Sequence, residues 1–177
     1  DKFQVPLLVL AGITQTFDRA IAKDLGDKFS LIGVLATCII VGALLGWISF
    51  YFFSALLRWT GSWLNGLADF KAIIRMIAYA MTPSIVALVL LIPMIAIYGN
   101  EMFKADGDII SGGIFSNIMF YGAALLDAIL GIWSLVLVVV GLSEIQQFSI
   151  GKAMLNMVLA SVVIIVPLLL VVLLASI

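Results

Sequence analysis

The chain has 177 residues, 64% hydrophobic and 11% charged, with a mean hydropathy of +1.29 and a formal net charge of −1. Soluble domains carry about 25% charged residues, so bilayer is the solvent this sequence is built for, and the near-zero charge gives no footing for nucleic acid or another polyanion. Histidine is absent, which removes the commonest general base and metal ligand.

Crossing a hydrocarbon core of about 30 Å takes about 20 helical residues. The apolar runs predict spans at residues 5–20, 31–59, 72–98, 115–142 and 149–175. The expected fold class is all-α: a polytopic helical membrane protein of about five transmembrane helices, with residues 1–177 as one domain.

The first span is short and starts close to Asp1, so upstream residues are expected to be missing; the alternative is a helix lying in the interface. Phe17, Ile21 and Leu25 follow at a spacing of four with charges between them. That spacing predicts an amphipathic extension at the membrane surface, or a solvated connector helix.

The second span holds Cys38, which reads as a small buried hydrophobe. It also holds Gly42 and Gly46, a GxxxG pair. Two glycines one turn apart flatten a helix face and let another backbone approach, and an intramolecular helix contact is expected there. Trp47, Phe50, Tyr51, Phe52, Phe53 and Trp59 thicken its end into an aromatic belt. Arg58 opens a glycine-punctuated loop that grazes the interface.

Lys71 and Arg75 lie four apart at the start of the third span. They share a face that reaches phosphate groups or a carboxylate, or they serve as positive-inside anchors. Pro83 and Pro93 should bend this helix, with Thr82 and Ser84 placed to satisfy the carbonyls that Pro83 frees. The acidic loop Asn100–Asp108 reads as a turn. Ser111-Gly112-Gly113 should delay the fourth helix.

Asp127 is the one charge in the apolar stretch 109–143. Counting 17 residues back from Glu144 puts it about 25 Å up the helix, towards the far edge of the core. Its readings are a proton- or ion-linked carboxylate, an inter-helix hydrogen bond, or a hydrated residue at the helix end. No other ionisable residue is expected at its depth. Ser143 to Lys152 then forms a polar elbow before the last span, in which Pro167 sits. Glu144 is expected to pair with Lys71 or Arg75; the alternative is that these, with Lys152, are ordinary interfacial charges.

Lys2, Arg58, Lys71, Arg75 and Lys152 fall on one side of a five-span topology. Arg19, Lys23, Lys28 and Lys104 fall on the other, among carboxylates. The first side is expected to be cytoplasmic, with the amino terminus inside.

Two stretches, LLRWTGSWLNGLADFKAIIRMIAYAMTPSIVALVLLIP and GIWSLVLVVVGLSEIQQFSIGKA, resemble the bacterial branch of the Yip domain family, membrane relatives of the Ypt/Rab-interacting proteins. The resemblance runs from about Leu31 to Ile177 and rests on the order and spacing of short words, among them Gly-Leu-Ser-Glu (Gly141 to Glu144) and Gly-Lys-Ala (Gly151 to Ala153). It implies five helices, a cytoplasmic amino end and integration in the bacterial cytoplasmic membrane. It also implies roles as accessories to export systems, or, for eukaryotic members, in Rab-linked traffic and membrane shaping. The Asp-Leu-Tyr-Gly-Pro motif of the eukaryotic branch is missing from this chain, which puts GTPase binding in doubt. The resemblance brings no catalytic residues, and none are visible: there is no nucleophile elbow and no phosphate loop.

The sequence thus points to a non-enzymatic scaffold or accessory protein without a cofactor. It associates with lipid bilayer and with another membrane complex such as an exporter or trafficking machinery, and a homo-oligomer is compatible with it. The competing expectation is a small transporter or channel-like protein using Asp127 and the proline-bent third helix.

Overall fold

The computed structural model describes residues 2–108 and 113–175. Among these residues there is no strand. Five helical stretches are long and apolar enough to cross a membrane: Gln4–Ala22, Leu31–Trp63, Phe70–Phe103, Gly113–Gln146 and Ile150–Leu174. The protein is therefore an all-α, polytopic helical protein, as composition requires.

The elements are α1 (Gln4–Ala22), α2 (Leu31–Val41), a π-helical segment (Gly42–Gly46), α3 (Trp47–Trp63), α4 (Phe70–Ala80), α5 (Thr82–Tyr98), α6 (Gly113–Gln146) and α7 (Ile150–Ala175). Short 3₁₀ turns follow α1 at Leu25–Asp27 and α5 at Gly99–Phe103. Helix starts carry their own signals. Ser30 accepts the Gly33 N–H, and Asp69 Oδ1 accepts the Ala72 N–H at 2.8 Å, so orphan donors at the heads of α2 and α4 are satisfied.

The shortest span is the hub. α1 packs against α2, the π segment, α3, α4 and α5. Its buried residues Leu8, Ala11, Gly12, Thr14, Phe17 and Ala20 include the small ones needed for close approach. A Cβ on Gly12 would fall 2.7 Å from Gly42 O and 2.9 Å from Gly46 Cα; one on Gly46 would fall 2.5 Å from Gly12 Cα. Backbone meets backbone at this crossing, which only hydrogen at the α-carbon permits. The π turn between Gly42 and Gly46 lies at the same contact. Packing on several sides does not fit a first helix lying in the interface.

The expected surface extension after Phe17 is also corrected. Phe17 is buried, and Ile21 and Leu25 pack on the same cluster, which contains Val34, Cys38, Met94, Met102 and Phe103. The hydrophobic stripe faces the 3₁₀ turn Gly99–Phe103 rather than lipid headgroups. The loop read as a plain turn therefore plugs this end of the bundle: Phe103 is fully buried, and Asn100 Nδ2 donates to Gly26 O at 3.0 Å.

The third span is two helices. It breaks at Met81, and Pro83 sits in the first turn of α5, where a missing N–H is tolerated. Thr82 Oγ1 donates to Tyr79 O at 2.7 Å, the carbonyl four residues before Pro83. Ser84 does not serve its own helix. Its N–H and hydroxyl both meet Ser134 Oγ, at 3.1 and 2.8 Å, and tie α5 to α6. The expected helix delay at Ser111–Gly113 falls largely on residues 111–112, which lie outside the described residues; α6 begins at Gly113.

Candidate functional site

Two regions gather the residues that sequence reasoning singled out. The first is the elbow end. α6 continues past residue 142 to Gln146, so only Gln147–Ser149 turn the chain into α7. Gln147 takes a left-handed backbone (φ 58°), and Ser143 closes the turn: its hydroxyl donates to Phe148 O, and its carbonyl accepts the Phe148 N–H, both at 2.8 Å.

Gln146 joins this turn to the α3–α4 loop. Its side chain is 1% exposed. Oε1 accepts the Ala68 N–H at 3.1 Å, and its backbone carbonyl accepts the Leu67 N–H at 3.4 Å. The amide lies against Gly61 and Gly66, where a Cβ would collide with it. One turn away, Thr60 Oγ1 donates to Asn156 Oδ1 at 2.6 Å, and Asn156 Nδ2 donates to Leu57 O at 3.2 Å. Thr60 and Asn156 are fully buried. A polar junction of α3, the α3–α4 loop, α6 and α7 thus fixes the elbow.

The expected tie between Glu144 and Lys71 or Arg75 is not made. Glu144 is exposed, and among the described residues it forms no ion pair with Lys71, Arg75 or Lys152. Salt bridges at a wet surface are worth at most about 1 kcal/mol; the buried Gln146 bonds the α3–α4 loop directly through Oε1, while its Nε2 has no hydrogen-bond partner among the described residues, so Gln146 carries the connection. Arg58, Lys71, Arg75, Glu144 and Lys152 are all exposed around this junction. The start of α1 belongs to the same end, because Leu8 packs on Ile74 and Ala78.

The second region is a cleft of about 210 Å³ between α1, α5 and α6. Asp127 lines it, and so does Asp18 of α1. This corrects the expectation that no other ionisable residue shares the depth of Asp127. Asp18 lies 16 residues from Lys2 and Asp127 lies 17 from Glu144, so both stand about 25 Å from the elbow end. Pro83 is at the start of α5, towards the elbow, and does not line this cleft. Gly42 and Gly46 serve the α1 crossing described above.

The Yip1 domain family model matches residues 3–173. The chain belongs to the Yip1 domain family. No curated protein matches it, and no solved structure does.

For a Yip1-domain protein, the words that carry the likeness fall where the elbow is built. Gly61 accommodates the Gln146 amide, and Ser143 closes the turn. Ala153, fully buried, packs with Leu57, Ile73 and Leu142. Sequence reasoning missed Gln146, Thr60, Asn156 and Asp18. Asn156 was detectable, since Ala153 and Ala160 flank it at helical spacing and make the small-residue face that lets α7 approach α3. Asp18 was hidden by its neighbour Arg19, which made the segment read as solvated.

Proposed function

We propose that this Yip1-domain protein is a non-enzymatic scaffold or accessory protein of a bacterial cytoplasmic membrane. It would bind another membrane complex, an exporter or trafficking machinery, through its elbow end. The observation that carries this is the contrast at the elbow: Gln146 fixes the backbone from within, while Arg58, Lys71, Glu144 and Lys152 stand exposed and make no ion pair among the described residues. Charges presented on a fixed backbone select a complementary surface and speed its encounter. The basic residues Lys2, Arg58, Lys71, Arg75 and Lys152 at this end support a cytoplasmic elbow and a cytoplasmic amino terminus. The Yip-like words at the elbow support the bacterial branch, and the single match over 3–173 supports one domain.

The test is capture from native membranes with the full chain and with a variant carrying Arg58→Gln, Lys71→Gln, Glu144→Gln and Lys152→Gln. A partner that co-purifies with the first and not with the second supports the proposal. A second role, as a small carrier, draws on the Asp18–Asp127 cleft. Flux through purified protein in liposomes, abolished by Asp127→Asn, would favour the carrier over the scaffold.

A further inference from the structure

The cleft between α1, α5 and α6 takes no part in the elbow surface, and its composition sets it apart. Its walls are mainly apolar, with Leu90, Leu91 and Met94 from α5 and Phe120 from α6. At their edge two helices bring Asp18 and Asp127, both exposed. Among the described residues, neither carboxylate has an ion-pair or hydrogen-bond partner. Thr14, 6% exposed, lines the same space; its hydroxyl donates to Leu10 O at 3.1 Å, which leaves its oxygen able to accept.

This chemistry restricts the occupant. Two carboxylates exclude an anion. Apolar walls offer no donors to a sugar or a phosphate. A hard metal ion takes about 6–8 oxygen ligands, and most of this lining has none to give. A volume of about 210 Å³ lies below the roughly 300–1,000 Å³ of drug-sized pockets, so the occupant is small. An organic ammonium meets every condition: it donates to carboxylates and to a hydroxyl oxygen, its charge is drawn to aromatic faces, and its hydrocarbon suits the walls.

We propose that the cleft binds a small lipophilic amine in its protonated form, with the ammonium between Asp18 and Asp127 and the hydrocarbon against Leu90, Leu91, Met94 and Phe120. The cation relieves the repulsion of two like charges that share one lining. This proposal is independent of partner docking at the elbow.

The experiment is equilibrium dialysis of the full chain in phosphatidylcholine nanodiscs at neutral pH, with cyclohexylammonium as probe, cyclohexanol as its uncharged counterpart and empty nanodiscs as blank. Saturable binding of cyclohexylammonium is expected, with cyclohexanol weaker by about tenfold or more. Asp18→Asn with Asp127→Asn should lose the amine by a similar factor. Ala123→Leu fills the space and keeps both carboxylates; it should lose the amine too, and it decides the matter if the double variant fails to fold. Equal binding of cyclohexanol, wild-type affinity in either folded variant, or displacement of the amine by equimolar sodium would overturn the proposal.

Discussion

Gln146 accepts the Ala68 N–H through its side-chain oxygen at 3.1 Å, across 78 positions of sequence. That bond fastens the α3–α4 loop to the end of α6. Removing the acceptor leaves the half-buried Ala68 N–H without its partner, at a cost of about 1 kcal/mol, of which loss of the unpaired Nε2 offsets a part. Gln146→Leu should therefore lower the thermal unfolding midpoint in detergent. Glu144→Gln, two positions away and exposed, should leave it unchanged within about 0.5 kcal/mol. Equal midpoints for the two variants would mean that the amide does not hold the elbow.

Thr60 and Asn156 offer a finer test in the same junction. Their hydrogen bond measures 2.6 Å, and inter-helix hydrogen bonds in membranes average about 0.6 kcal/mol, with a maximum near 1.7. A double-mutant cycle of Thr60→Val and Asn156→Leu should return a coupling in that range. A coupling of zero would show that the two side chains act separately.

The α1 crossing makes a larger demand. Adding a methyl group at Gly46 drives Cβ to 2.5 Å from Gly12 Cα, and backbone must move. Overpacking of this kind costs about 1–3 kcal/mol. Gly46→Ala should show that loss by unfolding in detergent, while Gly131→Ala, where nothing lies within 4 Å, should be close to neutral. If Gly131→Ala proves the more harmful, this face of α6 is occupied by something other than lipid.

The helices were legible in the sequence because long apolar runs in a chain with few charges leave little choice of structure. The runs ending near Trp59, Tyr98 and Leu142 each led to a helix; α5 ends at Tyr98 as hydropathy marked, whereas α3 continues to Trp63 and α6 to Gln146. Polar residues at a helix end lower hydropathy without breaking the helix, so Ser143 to Gln146 read as a turn. What a sequence of this type hides is pairing. The GxxxG of the second span announced a close contact, but Gly12 in a short first helix gave no sign of being its partner. Glu144 drew attention because charge is conspicuous in a list of residues, whereas Gln146 and Asn156 matter because they are buried, which only packing reveals. Asp127 stood alone along the chain and stands beside Asp18 in space.

The scaffold and carrier roles diverge in liposomes. Purified protein should show no flux of protons or of a small ammonium above protein-free vesicles, measured with a pH-sensitive dye inside and the amine outside. Dye movement that Asp127→Asn suppresses would transfer the function to the cleft.

The most direct measurement is site-specific photocrosslinking in native membranes, with the photoreactive residue placed in turn at Glu144, at Lys152 and at Leu168. The first two are exposed at the elbow, and Leu168 is exposed on the apolar outer part of α7. The elbow positions should give one discrete adduct of the same mass increment, and Leu168 should not give it. No adduct from the elbow, or the same adducts from all three positions, would contradict a docking surface at this end of the protein.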